Sequence, residues 1–276
     1  MKYVKYYVAP LLTSILLIGI LMGGHWMWMG FVITFAVMIL GDAFLSEDPS
    51  KPEYDYPWLL ELPLHMALPF VFVLLVAFAW SSGSKIQDFL NLGEILNGLF
   101  SYDFLAARSE NGFFEYLGAL LGVGYMVSGY GTVVGHDLSH RTRDKKSVIE
   151  ARWLLSASCN ADFAIEHVYG HHVTVGTKED PATARRGENV YAFSIRSTVM
   201  GHFSAWKHEL NNLRKKGINV FSFRNNMITG YLMSAFWCVL FYIAGGIFGL
   251  MLFLGQAVFA KFVLEIVNYM EHYGLA

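Results

Sequence analysis

Charge is scarce in this 276-residue chain: 15% of its residues are Asp, Glu, Lys or Arg, where a soluble domain carries about 25%. That deficit excludes an ordinary water-soluble globule. Net charge is nearly absent too, with 20 basic residues against 22 acidic ones, so no basic footprint invites nucleic acid. Two cysteines, Cys159 and Cys238, are too few for a disulfide framework. No low-complexity tract and no internal repeat interrupts the chain. Apolar residues make up 55% of the sequence and mean hydropathy is +0.41, which excludes disorder. These proportions describe a membrane protein.

A membrane-crossing helix needs about 20 mostly apolar residues, because the hydrocarbon core is about 30 Å thick and each residue rises about 1.5 Å. Six stretches meet that requirement: 4–22, 25–44, 58–80, 113–134, 227–244 and 247–269. Lys2 and Lys5 before the first stretch imitate a signal peptide. A second span follows directly after Gly23 and Gly24, with no small-residue cleavage site, so the first is read as a retained helix. Spans one and two, and five and six across Gly245–Gly246, are expected to form tight helical hairpins. The fold class expected is all-α and integral to the membrane, one domain over 1–276 with six transmembrane helices.

Lys and Arg set the orientation. Segment 135–226 holds 14 of the 20 basic residues, and the positive-inside rule places it in the cytoplasm with both chain ends. The opposite side keeps only Lys85 and Arg108, while Lys261 falls within the sixth span. The polar, amphipathic stretch 81–112 suits the outer interface. Segment 200–217 mixes aromatic and basic residues at helical spacing and suits a helix on the inner lipid surface, anchored by its Arg-Lys-Lys run. Gly118/Gly122 and Gly131/Gly135 offer small faces for close helix approach.

Ten histidines are present, and five lie within 37 residues as two boxes, His136-Asp-Leu-Ser-His140 and His167-Val-Tyr-Gly-His171-His172. Residues four apart on a helix share a face, so each box is a ready bidentate site, the second with a spare ligand. His272 closes the sixth span in Asn-Tyr-Met-Glu-His-Tyr-Gly. A helix from Phe113 through Arg141 would be about 43 Å long and would lift His136 and His140 past the membrane boundary, where the second box and His272 also arrive. A lone H-x-x-x-H is commonplace; two with a doubled His point to metal. Spacing does not choose the metal, since imidazole suits zinc, copper, iron and nickel. Asp137 stands where a zinc protease needs the glutamate of H-E-x-x-H. Six ligands over-supply one four-coordinate zinc, so two ions are the better count.

Of the other histidines, His65 reads as a hydrogen-bonded interior residue and His25 as a helix-end residue. His202 and His208, six apart, fall on opposite helix faces and stay outside the site. Carboxylates close to the boxes, Asp137, Asp162, Glu166, Asp180 and Glu271, are candidates to orient ligating imidazoles. Glu265 joins them, because Lys261, Glu265, Asn268 and His272 share one helical face. An ionisable residue inside a span is a functional candidate, and a plain Lys261–Glu265 ion pair is the competing reading.

In order along the chain, GHDLSHR (135–141), EHVYGHH (166–172), EDPATARRGEN (179–189) and NYMEHYGL (268–275) resemble the motifs of the bacterial integral-membrane alkane monooxygenases. The histidine boxes are shared with membrane fatty-acid desaturases; the third and fourth stretches are the more specific. The acidic run GDAFLSEDPSKPE (41–53) also resembles that family. The resemblance implies two non-haem irons, held by His136, His140, His167, His171, His172 and His272. It implies O2 as co-substrate and hydroxylation of a terminal methyl group of an alkane. It also implies electrons from rubredoxin, itself reduced by an NAD(P)H-dependent reductase, and a place in the bacterial inner membrane. Arg141, Arg143, Lys145 and Lys146 are a candidate docking patch for an acidic rubredoxin, although the positive-inside bias accounts for them equally.

One departure stands out. The family carries a third box, H-x-x-H-H, beyond its HYG motif, and this chain stops at Ala276. The expectation is a C-terminally incomplete sequence, three ligands short and inactive as it stands, with a natural short homologue as the alternative. Two rival functions remain: a related enzyme acting on alkyl-aromatic or fatty-acyl substrates, by hydroxylation or desaturation, and a non-enzymatic metal-binding membrane protein such as a transporter.

Overall fold

The computed structural model describes residues 2–45, 53–84 and 87–275; residues 46–52 of the acidic run 41–53, and Lys85, lie outside them. Every regular element among the described residues is helical. The chain runs through α1 (Val4–Met22), α2 (Gly24–Phe44) and α3 (Trp58–Ser81). Two short helices follow, α4 (Leu92–Leu99) and α5 (Phe104–Ser109). Then come α6 (Phe113–Ser139), α7 (Lys145–Ser156), the irregular α8 (163–174), α9 (Val190–Lys215) and α10 (Asn226–His272). Five of these, α1, α2, α3, α6 and α10, have the length and apolarity to cross a membrane.

The 47-residue α10 is not one rod, because Gly246 leaves the helical region at φ 61. Twelve helical residues rise about 18 Å, yet the rings of Phe241 and Phe253 are centred 5.2 Å apart. The chain therefore doubles back at a residue whose positive φ favours glycine. The two arms, 226–245 and 247–272, cover the fifth and sixth expected spans.

Two compact units divide the residues, one of 1–126 with 238–256 and one of 127–237 with 257–276. In the first unit α1 packs against α2 and α3. Gly118 and Gly122 make the close approaches expected of small residues. A Cβ on Gly118 would stand 2.6 Å from the Trp28 ring, and one on Gly122 would stand 2.8 Å from Leu16. Buried Arg108 is held by the carbonyls of Trp80, Ser84 and Gln87 at 3.2, 2.9 and 3.1 Å.

In the second unit, local sequence starts the helices. Asp144, Asn189 and Asn225 each cap a helix N-terminus by accepting from the backbone N–H of Lys146, Ala192 and Met227, the arrangement that favours Asp and Asn there. The C-terminal part of α6 packs on α7, and α8 lies against α9. The helix expected near 200–217 is the second half of α9, which ends before Gly217 at φ 63.

Candidate metal centre

The 27 residues of α6 span about 40 Å, longer than a bilayer core, and its last turns carry His136 and His140. One turn apart, their rings lie 4.9 Å centre to centre. The second box sits on α8, where the backbone is not a regular α-helix. Residues His167–His171 form a π-turn, and a π-turn brings residue i+5, not i+4, over residue i. His172 therefore faces His167, with Nε2 atoms 2.9 Å apart. His171 swings to the other side, its ring 4.9 Å from that of His272.

The five box histidines and His272 thus divide. His136, His140, His167 and His172 offer ligand atoms that all lie within 4.8 Å of one another. His171 and His272 form a separate pair, with the ring of His167 5.2 Å from that of His171. The spacing rule expected the pair 167/171 to bind together; the π-turn replaces it with 167/172.

Hydrogen bonds fix which nitrogen each of the outer pair presents. His171 Nδ1 is 3.0 Å from Asp180 Oδ2, and His272 Nδ1 is 2.9 Å from the Asn268 carbonyl. Both partners accept, so each Nδ1 carries a proton and Nε2 is the nitrogen left to face a metal, the usual arrangement of a metal-binding imidazole. Burial, reinforced by the neighbouring His136 and His172, pushes His167 down to about 2. Burial and the neighbours His140 and His171 also lower His172. Both are neutral at physiological pH, the form that binds metal. Burial works to lower His171 too, but the hydrogen bond and charge of Asp180 outweigh it and raise this imidazole. Asp180 is itself buried, yet the hydrogen bonds from His171 and Thr183 keep its carboxyl below the usual range.

The other candidate carboxylates do different things. Glu166 is buried, and its Oε1 has no hydrogen-bond partner among the described residues; burial, then the charge of Asp180, pushes it up to about 7. Gly170 leaves room for that oxygen, since a Cβ there would come within 2.7 Å of it. Asp137 turns to Arg141 at 3.5 Å, an exposed contact. Glu271 is exposed and reaches His171 only through its charge. Buried Glu265 pairs with Lys261 at 2.9 Å, and Lys261 also donates to Asn160 at 3.0 Å, so the plain ion-pair reading describes this contact. Asp162 orients no box histidine: its Oδ2 is 2.7 Å from Nδ1 of His202. His202 was set aside on its six-residue spacing from His208, and no local signal points across the 40 residues to Asp162.

Four imidazoles with ligand atoms within 4.8 Å of one another, a carboxylate-backed fifth, a sixth beside it and an orphaned buried carboxylate oxygen make a donor set that fits a metal centre. The chain is 36% identical over 257 residues to an alkane 1-monooxygenase of Pseudomonas aeruginosa, covering 91% of this chain and 61% of that protein. It is 30% identical over 279 residues to an alkane 1-monooxygenase of Alcanivorax borkumensis, covering 97% and 66%. A xylene/toluene monooxygenase hydroxylase component of Pseudomonas putida is 29% identical over 280 residues, covering 100% and 68%. The chain spans about three fifths of the length of the first of these relatives. The pattern of the fatty acid desaturase family matches residues 113–276, more than half of the chain and all five box histidines with His272, and the chain belongs to that family.

Proposed function

We propose that this chain is the histidine-bearing part of a membrane monooxygenase that hydroxylates the terminal methyl group of an alkane. The balanced reaction takes RH, O2, two electrons and two protons to ROH and water. The supporting observation is the gathering of His136, His140, His167 and His172 within 4.8 Å, with His171 and His272 alongside, in a chain similar to alkane 1-monooxygenases. Two non-haem irons are the proposed metals, one served by the quartet and one by the pair, with further ligands to complete each. Iron supplies the reduction of O2 and the oxidation of the C–H bond. The protein's own work is to keep His167 and His172 neutral by burial, to orient His171 and His272 through Asp180 and the Asn268 carbonyl, and to hold the site in place. Rubredoxin, reduced by its NAD(P)H-dependent partner, is the proposed electron donor. The proposed location is the bacterial inner membrane, with the site and both ends on the cytoplasmic side.

The test is expression of the full-length protein in bacterial membranes with rubredoxin and its reductase, followed by metal analysis and product analysis from octane. About two irons per chain and 1-octanol are expected; one zinc and no iron would sink the metal assignment. The likeness to a xylene/toluene monooxygenase component supports a second reading, hydroxylation of an alkyl-aromatic methyl group. Toluene converted in preference to octane would favour it.

A further inference from the structure

A second constellation in the same unit lies beside the histidine quartet. Trp206 Nε1 is 2.6 Å from the hydroxyl of Tyr231, that hydroxyl is 2.8 Å from Nε2 of His202, and Nδ1 of His202 is 2.7 Å from Asp162. The proton positions follow from chemistry. An indole nitrogen only donates and a carboxylate only accepts, so with His202 neutral the order is Trp206 N–H to Tyr231 oxygen, Tyr231 O–H to His202 Nε2, and His202 Nδ1–H to Asp162. The phenol thus hands its proton to an imidazole whose other side is already tied to a carboxylate.

The same residues connect to the candidate metal centre. Asp162 is followed by Phe163, whose ring lies nearly parallel to that of His167, at 4.7 Å and 15°. Trp206 packs on the buried cluster of Ile165, Ala205 and Met227, and Ile165 is two residues before His167. Trp206 and Tyr231 rings are centred 6.1 Å apart. Tyr231 is 43% exposed, so the series reaches the protein surface there, while its Asp162 end adjoins Phe163, the ring stacked on a ligand candidate.

We propose that Tyr231, with Trp206 as the inner step and His202–Asp162 as the proton acceptor, is a redox relay that carries oxidising equivalents away from the metal site. It rests on the oxygen-activating function proposed above. In the step, Tyr231 loses one electron, through Trp206, to a one-electron oxidant generated when the iron-loaded centre consumes O2 without substrate. Its phenolic proton moves to His202 Nε2, and the resulting imidazolium is held by Asp162. The products are a neutral tyrosyl radical, a protonated His202 and the oxidant reduced by one electron. Indole and phenol yield electrons only to strong oxidants, so the series suits oxidising equivalents leaving rather than electrons arriving from a mild donor. His202 is already a stronger base than usual, because the hydrogen bond it donates to Asp162 outweighs its partial burial.

Two arms test the relay by electron paramagnetic resonance. In the first, metal-free protein in detergent is oxidised by photogenerated ruthenium(III) tris-bipyridine, with persulfate as the terminal acceptor. Wild type is expected to give a tyrosyl signal that falls several-fold in Tyr231→Phe. His202→Ala should lose it comparably and regain it with added imidazole, which a structural role alone would not produce. In the second, iron-loaded, reduced protein is mixed with O2 in the absence of alkane and frozen, with O2 consumption followed in parallel. The same Tyr231-dependent radical is expected, weakened in Trp206→Phe. Equal signals from wild type and Tyr231→Phe in the first arm overturn the relay. So does O2 consumption in the second arm without a Tyr231-dependent signal. Failure to consume any O2 counts against the proposed function instead, and the first arm then decides the relay chemistry alone.

Discussion

The two compact units bury different chemistry. Among the described residues of the first unit, the one buried charged side chain is Arg108, and the core is made of residues such as Leu16, Leu74, Phe78, Trp80 and Phe253. The second unit buries Arg152, Glu166, His167, His171, Asp180, Glu209 and Glu265. Most of these are paired: Arg152 with Asn226 and Thr229, His171 with Asp180, Glu265 with Lys261, and Glu209 with Asn226. Burying ionisable groups is costly even when they are paired. A unit that carries seven spends stability on function, whereas the first unit is held mainly by apolar packing, with Arg108 its one buried charge. Substitutions in the two should therefore fail in different ways.

The largest separation is expected from His167→Ala. It removes a member of the quartet whose ring also lies 5.2 Å from that of His171, so bound metal and hydroxylation should fall to background. Insertion persists, because spanning helices satisfy their own backbone; metal content, product and membrane fractionation of one preparation check all three. Asp180→Asn leaves the ligands in place and removes the carboxylate behind His171. A loss of about 10–100-fold in metal affinity is expected, read by competition with a chelator, and an unchanged affinity would show that Asp180 only folds the loop.

In the first unit, Gly118→Leu pushes a side chain into the Trp28 ring and should cost about 1–3 kcal/mol of stability, measured by thermal unfolding in detergent. Metal affinity per folded molecule should not change; a drop there would erase the contrast between the units. Glu188→Gln tests an ion pair of the second unit away from the histidines. Glu188 meets Arg196 at 2.7 Å and 2.8 Å through both carboxylate oxygens, and that hydrogen bonding, against partial burial, holds its carboxyl below the ordinary 4.5. Such a group stabilises above its unfolded pKa and loses the contribution as pH falls through the lowered folded value. The variant should be about 1–3 kcal/mol weaker at neutral pH, with the gap closing as the pH drops below about 4.5. A pH-independent gap would mean the loss is one of packing.

The smallest effect belongs to Asp137→Ala. Its exposed pairing with Arg141, one turn away on the same helix, is worth at most about 0.5 kcal/mol. Metal affinity should stay within error of wild type, in contrast to Asp180→Asn, and a large loss would return Asp137 to the site.

Asp137 and Asp180 also show where reading the sequence stops. Both lie close to histidines along the chain, and spacing alone ranks them together. One faces Arg141 and the other backs His171, a difference set by how the loop after α8 folds over its own helix. Glu265 repeats the point: its helical face was legible, but the buried bond from Lys261 on to Asn160, 101 residues away, was not. Cys159 and Cys238 needed nothing further, since neither is in a disulfide.

The amino-acid sequence by itself determined the helical class, the apolar segments long enough to cross a bilayer and the hairpin break beside Gly246. Each depends on transfer free energy or backbone freedom summed over neighbouring residues. It also singled out six histidines as candidate imidazole donors. The tertiary structure alone decided how they divide, because one π-turn at His167–His171 shifts the facing residue from His171 to His172. The tertiary structure alone also brought Asp162, His202, Tyr231 and Trp206 into one hydrogen-bonded series. A side chain's partner depends on backbone register and on the packing of distant segments, and neither is written in local spacing.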